Sequence, residues 1–386
     1  MKRLITILSI AFAIASCANG KQDEILTLAW AGIPVEHADT LLAMAKECGF
    51  DLHLAIVKDC KSAIKMLDAA EKAGIGLLPQ VTDLKDSTAQ VVKEIGNHPA
   101  LFAYDLKDEP ETSDIEWLAS LTARLANLDP GHPAYINLYP NWAWDTERYA
   151  ERIEEFASKV EVPFYSFDQY PVTEVEGKIV LRPTWYRNLE EFSAMASRHG
   201  KPFWAFALSS SHFLGPPSPP AFYPVPTLGH LRLQVFSDLV YGAQVIQYFT
   251  FRGMYDKTTL EKTPVFDLVR RVNSEIKGYS PVFAGCKVIG VWHLGENIPE
   301  GTHAFETRYI PVLERLEWEG EGAVVSLIEN RGKRFMAVVN RDCVNESAME
   351  YSFSKRVRVL TPAGQSSRKK GDRTMLEPGN MTVFEL

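Results

Sequence analysis

Leu101-Phe102-Ala103-Tyr104-Asp105-Leu106 runs directly into Lys107-Asp108-Glu109-Pro110, and apolar residues then recur at Ile115 and Leu118. A short apolar run that ends in charge and is followed by a helical pattern reads as one strand–helix unit. The unit repeats along the chain. The apolar runs are Leu26–Ile33, Leu52–Val57, Ile75–Val81, Leu101–Leu106, Ala134–Tyr139, Pro163–Tyr170, Pro202–Leu208 and Val245–Phe251. Between them lie helical patterns such as Ala38-Leu41-Leu42-Ala45 and Ala63-Leu67-Ala70. Eight units predict an α/β fold, a (β/α)8 TIM barrel over residues 25–280. A doubly wound open sheet is the competitor. It usually has fewer strands and often a glycine-rich phosphate loop, which this sequence lacks.

The texture changes after the last helical pattern, Pro264 to Gly278. Val288–Val291, Ala323–Ile328, Arg334–Asn340, Met349–Phe353, Val357–Leu360 and Met381–Leu386 are strand-like, with turn residues between them. They predict a smaller C-terminal all-β sandwich domain over residues 286–386. Tyr279-Ser280-Pro281-Val282-Phe283 is apolar and short, unlike a flexible linker, so the two parts are expected to form one rigid unit.

The chain has 386 residues, 41 of them basic and 49 acidic, for a formal net charge of −8. Its 46% hydrophobic and 23% charged content is that of a folded protein. It argues against disorder and against a nucleic-acid partner recruited by overall positive charge. At the start, Lys2 and Arg3 precede the apolar run Leu4 to Ala15 and then Ser16 and Cys17. A basic start, a short apolar stretch and small residues describe a secretory signal, here residues 1–16. The run is shorter than the roughly 20 apolar residues of a membrane span. Residues 17–24 would form a polar tether.

Cys48, Cys60, Cys286 and Cys343 are widely spaced, with no CxxC pair. Two readings of Cys48 and Cys60 are open, a disulfide and buried free thiols. The nine histidines show no HxH or HExxH spacing. No metal and no cofactor is expected.

In a barrel, the carboxyl ends of the strands carry function. Those ends supply Trp30, Lys58, Asp59, Gln80, Asp83, Asp105, Asp108 and Glu109, then Asn137, Tyr139, Trp142 and Trp144. Asp168, Tyr170, His212, Gln247, Thr250 and Arg252 complete the ring. Acids and amides bind hydroxyls, and aromatic rings stack on the C–H faces of a sugar, so the expected partner is a carbohydrate. The substrate-binding candidates are Trp30, Asp105, Asn137, Tyr139, Trp142, Trp144, Tyr170, His212, Gln247 and Arg252. Glu109, Asp168 and Asp108 are the catalytic candidates. Ser166, Asp168 and Tyr170 share one strand face by parity. The competing reading of Asp108-Glu109-Pro110 is a helix start, capped and charged by its acids.

Tyr104-Asp105-Leu106-Lys107-Asp108-Glu109-Pro110 resembles the Asn-Glu-Pro or Asp-Glu-Pro motif that ends strand 4 of clan A, β-galactosidase-like barrel glycoside hydrolases. The resemblance runs loosely over Ile25 to Gly278. It continues in Phe335–Asn340 and Leu376-Glu377-Pro378-Gly379-Asn380, similar to the β-sandwich that follows many such barrels. It implies that Glu109 is the proton donor. The resembled clan places a nucleophilic glutamate at the end of strand 7, but Phe203-Trp204-Ala205-Phe206-Ala207-Leu208-Ser209-Ser210-Ser211-His212 holds no acid. Asp168 is the nearest replacement. Asp108-Glu109 is also similar to the pair in hexosaminidases with substrate-assisted catalysis, where the Asp orients an attacking acetamido group. The expectation is a glycoside hydrolase; the alternative is a non-catalytic carbohydrate-binding barrel that kept the cleft and lost the nucleophile.

Ile14-Ala15-Ser16-Cys17 resembles a bacterial lipoprotein signal. This implies cleavage before Cys17, lipidation there, and a place in the cell envelope, periplasmic or on the outer membrane of a Gram-negative bacterium, with the lipid as the only membrane contact. A plain secretory peptide cut nearby is the other reading. Intact-mass analysis of the native protein should find an acylated chain starting at Cys17, and Cys17→Ser should lose the acyl mass and leave the membrane fraction. An unlipidated start elsewhere would contradict this.

Overall fold

The computed structural model describes residues 23–144, 147–214 and 221–386. The signal, Cys17 and most of the tether lie outside the described residues, as does the start of the Pro-rich loop Gly215 to Pro226. Eight parallel strands form the barrel: β1 (Leu26–Trp30), β2 (Leu52–Val57), β3 (Gly76–Val81), β4 (Tyr104–Asp108), β5 (Ala134–Leu138), β6 (Tyr165–Phe167), β7 (Phe203–Leu208) and β8 (Val245–Phe249). Their hydrogen-bonded order is β3-β2-β1-β8-β7-β6-β5-β4. The ring closes between β3 and the start of β4. There Leu77 donates to Ala100 O at 2.7 Å and Phe102 donates to Leu77 O at 2.8 Å. A (β/α)8 barrel leaves no sheet edge exposed.

The interior is layered by strand parity. Aromatics fill its lower part, with the rings of Phe164 and Trp204 stacked at 3.9 Å and Tyr135 packed against Trp204. Two residues further along β5 and β6 come Asn137 and Ser166, both buried. The mouth lies above them. The fourth strand differs from its expected Leu101–Leu106 span because its register shifts between Asp105 and Lys107, a bulge that pairs Asp105 with Tyr135 and Asp108 with Asn137. One extra residue on β4 puts Asp105 and Asp108, three apart, on the same inner face.

The helices are α1 (Ala38–Glu47), α2 (Cys60–Ala73), α3 (Thr88–Ile95), α4 (Ile115–Leu128), α5 (Asn141–Trp144), α6 (Tyr149–Lys159), α7 (Trp185–Arg198), α8 (Leu228–Val240) and α9 (Pro264–Phe283). The last helix runs past the expected stop at Gly278, with Pro281 in its final turn. Cys48 and Cys60 carry free thiols, and Cys48 Sγ donates to Phe266 O at 3.5 Å.

The C-terminal domain is all β: β9 (Lys287–Leu294), β10 (Leu313–Glu319), β11 (Ala323–Asn330), β12 (Lys333–Asn340), β13 (Ser347–Leu360), β14 (Ser366–Leu376) and β15 (Met381–Glu385). Its layers belong to one antiparallel sheet, ordered β9-β11-β12-β15-β13-β10 with β14 on β13. Alternation assigns its two faces. Val325, Met336, Val338 and Phe384 join a core private to this domain, whereas Val324, Ala337, Val339 and Val383 join the core of the barrel. Because the sheet covers it, α8 is buried along nearly its whole length.

Side chains of the sheet also finish the barrel's helices. Ser326 Oγ donates to Val240 O at 2.9 Å, at the end of α8. Asn330 Nδ2 reaches Val282 O at 3.0 Å and Ala284 O at 2.9 Å, at the end of α9. These are carbonyls that a helix cannot satisfy itself. Gly278 has no room for a Cβ, which would meet Pro362 O at 1.8 Å. Asn330→Ala should therefore lower stability by about 1–3 kcal/mol, the cost of leaving buried acceptors unpaired. Denaturant melts followed by near-UV and far-UV signals should stay coincident. Two separate transitions in the wild type would show that the domains are independent.

Candidate active site at the barrel mouth

The bulge in β4 sets the geometry. It turns Asp108 toward Asn137 on β5, whose Nδ2 donates to Asp108 Oδ1 at 3.0 Å and to Asp168 Oδ1 at 3.2 Å. Behind Asn137 runs a directed chain. Tyr135 Oη donates to Gln247 Oε1 at 2.7 Å, Gln247 Nε2 to Ser166 Oγ at 2.8 Å, and Ser166 Oγ to Asn137 Oδ1 at 2.8 Å. Every donor in it points toward the two carboxylates. Asp105 lies beneath, buried, and accepts from Gln80 Nε2 at 3.0 Å.

Glu109 follows Asp108 with φ +50°, a left-handed conformation that costs a non-glycine residue energy. Its N–H is held by Asn137 O at 2.8 Å. It does not cap the next helix. Glu111 and Asp114 form the capping box there, with Glu111 N donating to Asp114 Oδ2 at 2.9 Å. The carboxyl group of Glu109 is thus free of the helix start.

Burial, helped by the charges of Asp108 and Glu111 and opposed by Lys107, pushes Glu109 up to about 7. Asp108 is also raised by burial, while its bond from Asn137 and the charge of Lys107 pull it back. Asp168 lies well above the usual carboxylate range, first from burial and then from the charges of Glu109 and Asp108. Tyr170 and Asn137 oppose that rise. Asp105 is likewise held high by burial and by Asp108. Four carboxyls in one low-dielectric pocket do not all ionise at neutral pH.

An aromatic wall faces these acids. Trp30 at the end of β1 packs on Phe249 at 5.1 Å and Phe206 at 6.4 Å. Tyr170 packs on Phe249 at 5.3 Å and on Tyr223 at 5.9 Å, and His212 stacks on Tyr223 at 4.6 Å. Nδ1 of His212 is 3.0 Å from Ser210 O. Tyr139, half-buried, donates to Glu111 Oε1 at 3.3 Å and feels the charge of Glu109. Arg252 is exposed at the rim beyond β8.

The structure moves several expected substrate contacts inward. Trp144 is only 7% exposed and packs between Tyr139 and Tyr149 as core. Gln247, Asn137 and Asp105 are buried below the mouth, where Asn137 donates to Asp108 and Asp168, Gln247 bonds Ser166 behind it, and Asp105 accepts from Gln80. Trp142 stays half-buried at the mouth, with the Arg182 guanidinium over its ring at 4.4 Å.

Arg182 and Tyr223 were not singled out in the sequence. They belong to a four-stranded antiparallel sheet inserted beside the mouth, in the order His212–Leu214, Ala221–Tyr223, Val172–Val175, Lys178–Leu181. Its signal is Glu176-Gly177, both at positive φ, which makes a tight hairpin turn.

No family model matches the chain, and no curated protein matches it. Among solved structures it is similar to a Thermotoga maritima alpha-fucosidase in complex with a mechanism-based inhibitor, at 8% identity and TM-score 0.46, covering 97% of this chain and 98% of that one. It is also similar to a bacterial fucosidase with a monovalent iminocyclitol inhibitor, at 9% identity and TM-score 0.47, covering 95% and 94%. A third similar structure is the Thermobacillus composti GH10 xylanase, at 13% identity and TM-score 0.42, covering 64% and 96%.

A carboxyl raised from 4.5 to about 7 keeps its proton in the folded chain where the unfolded chain has lost it. Between those values the folded state binds more protons, so Glu109 costs stability as pH rises through that window, and the cost is constant above it. Glu109→Gln removes this titration. Its melting temperature should draw ahead of the wild type from about pH 4.5 to about pH 7 and run parallel above. Curves that stay parallel throughout would mean that Glu109 titrates as a solvated acid.

Proposed function

We propose that the protein is a glycoside hydrolase in which Glu109 donates the proton to the leaving oxygen. The observation that carries this reading is a glutamic acid at the barrel mouth, held to about 7 by burial and by Asp108 and not engaged in capping a helix. Such an acid is still protonated near neutral pH and can donate. The aromatic wall of Trp30, Phe249 and Tyr170 supplies a platform for a sugar ring.

The second function falls to Asp108 and the substrate. Asp108 turns inward beside Glu109, so a 2-acetamido sugar is the favoured substrate. Glu109 protonates the glycosidic oxygen, the bond from that oxygen to the anomeric carbon breaks, and the acetamido oxygen closes on the anomeric carbon from the other face. Asp108 accepts the acetamido N–H. Glu109, now a carboxylate, takes a proton from the water that opens the ring.

The competing reading makes Asp168 the nucleophile of a retaining pair. It is favoured by the nearness of Asp168 to Glu109, whose charge helps to raise it. It is opposed by the high Asp168 titration, since a protonated carboxyl is a poor nucleophile. A binding barrel without catalysis is favoured by the missing acid on β7. We further propose that the chain is held in the cell envelope through lipid at Cys17.

Glu109→Gln decides between catalysis and binding. Losing a general acid costs on the order of 10²–10⁴ in rate, least where the leaving group needs no proton. Glu109→Gln should cripple hydrolysis of natural oligosaccharides and spare much of the activity on an activated aryl glycoside. Equal, small effects on both would remove Glu109 as proton donor, and no hydrolysis by the wild type of any glycoside tested would leave the binding barrel.

A further inference from the structure

Arg182 has no carboxylate partner among the described residues. It leaves the inserted strand Lys178–Leu181 and crosses to two other loops. Its guanidinium lies over the Trp142 ring at 4.4 Å, and Nη2 donates to Tyr223 Oη at 2.8 Å. The same Tyr223 packs against Tyr170, two residues beyond Asp168, and feels the charge of both Arg182 and Asp168. One cation is therefore tied into the aromatic wall by loops that follow β5, β6 and β7. Nε is shielded from solvent with no acceptor. Among the described residues Nη1 has no protein acceptor either.

A half-buried guanidinium without a counter-ion is costly, and proteins normally pair it. Holding the loops together does not require a charge, because a neutral side chain could pack on Trp142 and Tyr223. What the charge and the fixed plane do offer is recognition of an oxyanion, since an arginine clamped flat loses little freedom on binding one.

We propose that Arg182 is a specificity-determining residue that binds an acidic group on the substrate, the carboxylate of a uronic acid or a sulfate ester. This rests on the hydrolase reading and names its substrate class as acidic glycans. The neighbouring acids do not forbid it. Burial and their mutual repulsion favour the protonated forms of Glu109 and Asp168, so the floor of the site carries less negative charge than its composition suggests.

The test is calorimetric binding of methyl glycosides to the Glu109→Gln protein. Each pair carries the 2-acetamido group and differs only at C6, 2-acetamido-2-deoxyhexuronide against 2-acetamido-2-deoxyhexoside, in the gluco and galacto configurations. A third arm carries a 6-sulfate, which separates a carboxylate site from a sulfate site. At low salt one acidic arm should bind at least about tenfold tighter than its neutral partner, as expected for a charge-assisted fork. Adding Arg182→Gln should bring that ratio close to one, and Arg182→Lys should restore part of it. Melting curves of each variant check that the fold is kept.

Equal binding of acidic and neutral members, or a preference that survives Arg182→Gln, overturns the proposal. Neutral glycosides that bind and are cleaved by the wild type without preference sink this inference alone. Acidic glycosides that bind through Arg182 and are never cleaved sink the hydrolase reading alone. If no glycoside binds, both fall.

Discussion

The buried amide of Asn137 donates to two carboxylates at once, and its own oxygen is filled by Ser166. The other side of the amide sets which way it faces: Gln247 donates to Ser166 Oγ, so the Ser166 hydroxyl turns to donate to Asn137 Oδ1 and leaves the amide nitrogen facing the two carboxyl groups. The chain from Tyr135 through Gln247, Ser166 and Asn137 spans β5, β8 and β6 in the barrel interior and ends at Asp108 and Asp168. Hydrogen bonds lined up head to tail strengthen one another in a low dielectric. They also make the site expensive to disturb, since any member removed leaves a buried polar group unpaired. Everything at the mouth depends on this chain. The β4 bulge puts Asp108 on the inner face, Asn137 holds its carboxyl there, and the charge of Asp108 so placed helps to hold the proton on Glu109.

The rest of the molecule keeps that mouth rigid. The barrel has no open edge, and the C-terminal sheet packs half of its apolar side chains into the barrel's own core. Ser326 and Asn330 close the ends of α8 and α9, and buried Arg232 ties both helices to the Leu376-Glu377-Pro378-Gly379-Asn380 turn through Glu275 and Glu377. The sheet therefore acts as a brace at the far side of the barrel. Beside the mouth lies the inserted antiparallel sheet, from which Arg182 and Tyr223 reach the aromatic wall.

Much of this was legible in the residues. Alternating apolar runs and helical patterns fix a barrel because each run must be buried on both faces, and that signal survives without any partner in view. Strand parity correctly grouped Ser166, Asp168 and Tyr170 on one face. Parity does not carry through β4, because a bulge adds a residue and nothing in Asp105-Leu106-Lys107-Asp108 announces it. Trp144 and Gln247 stand among the substrate-binding candidates because loop and strand-end positions are exposed on average, yet both are buried, since depth along the barrel axis is set by strand stagger, which a linear pattern does not carry. Arg182 carries no local signal, because its place depends on Trp142 and Tyr223, 40 residues before it and 41 after it and brought together only by the fold. The hairpin turn at Glu176-Gly177 was the one local clue.

The central claim is that this architecture holds Glu109 protonated near neutral pH. Difference infrared spectroscopy between wild type and Glu109→Gln, titrated across pH, isolates the carboxyl band of that one residue. The account predicts a protonated C=O band that persists to about pH 7 before it gives way to carboxylate. A band already lost near 4.5, the value of a free glutamate, would contradict it.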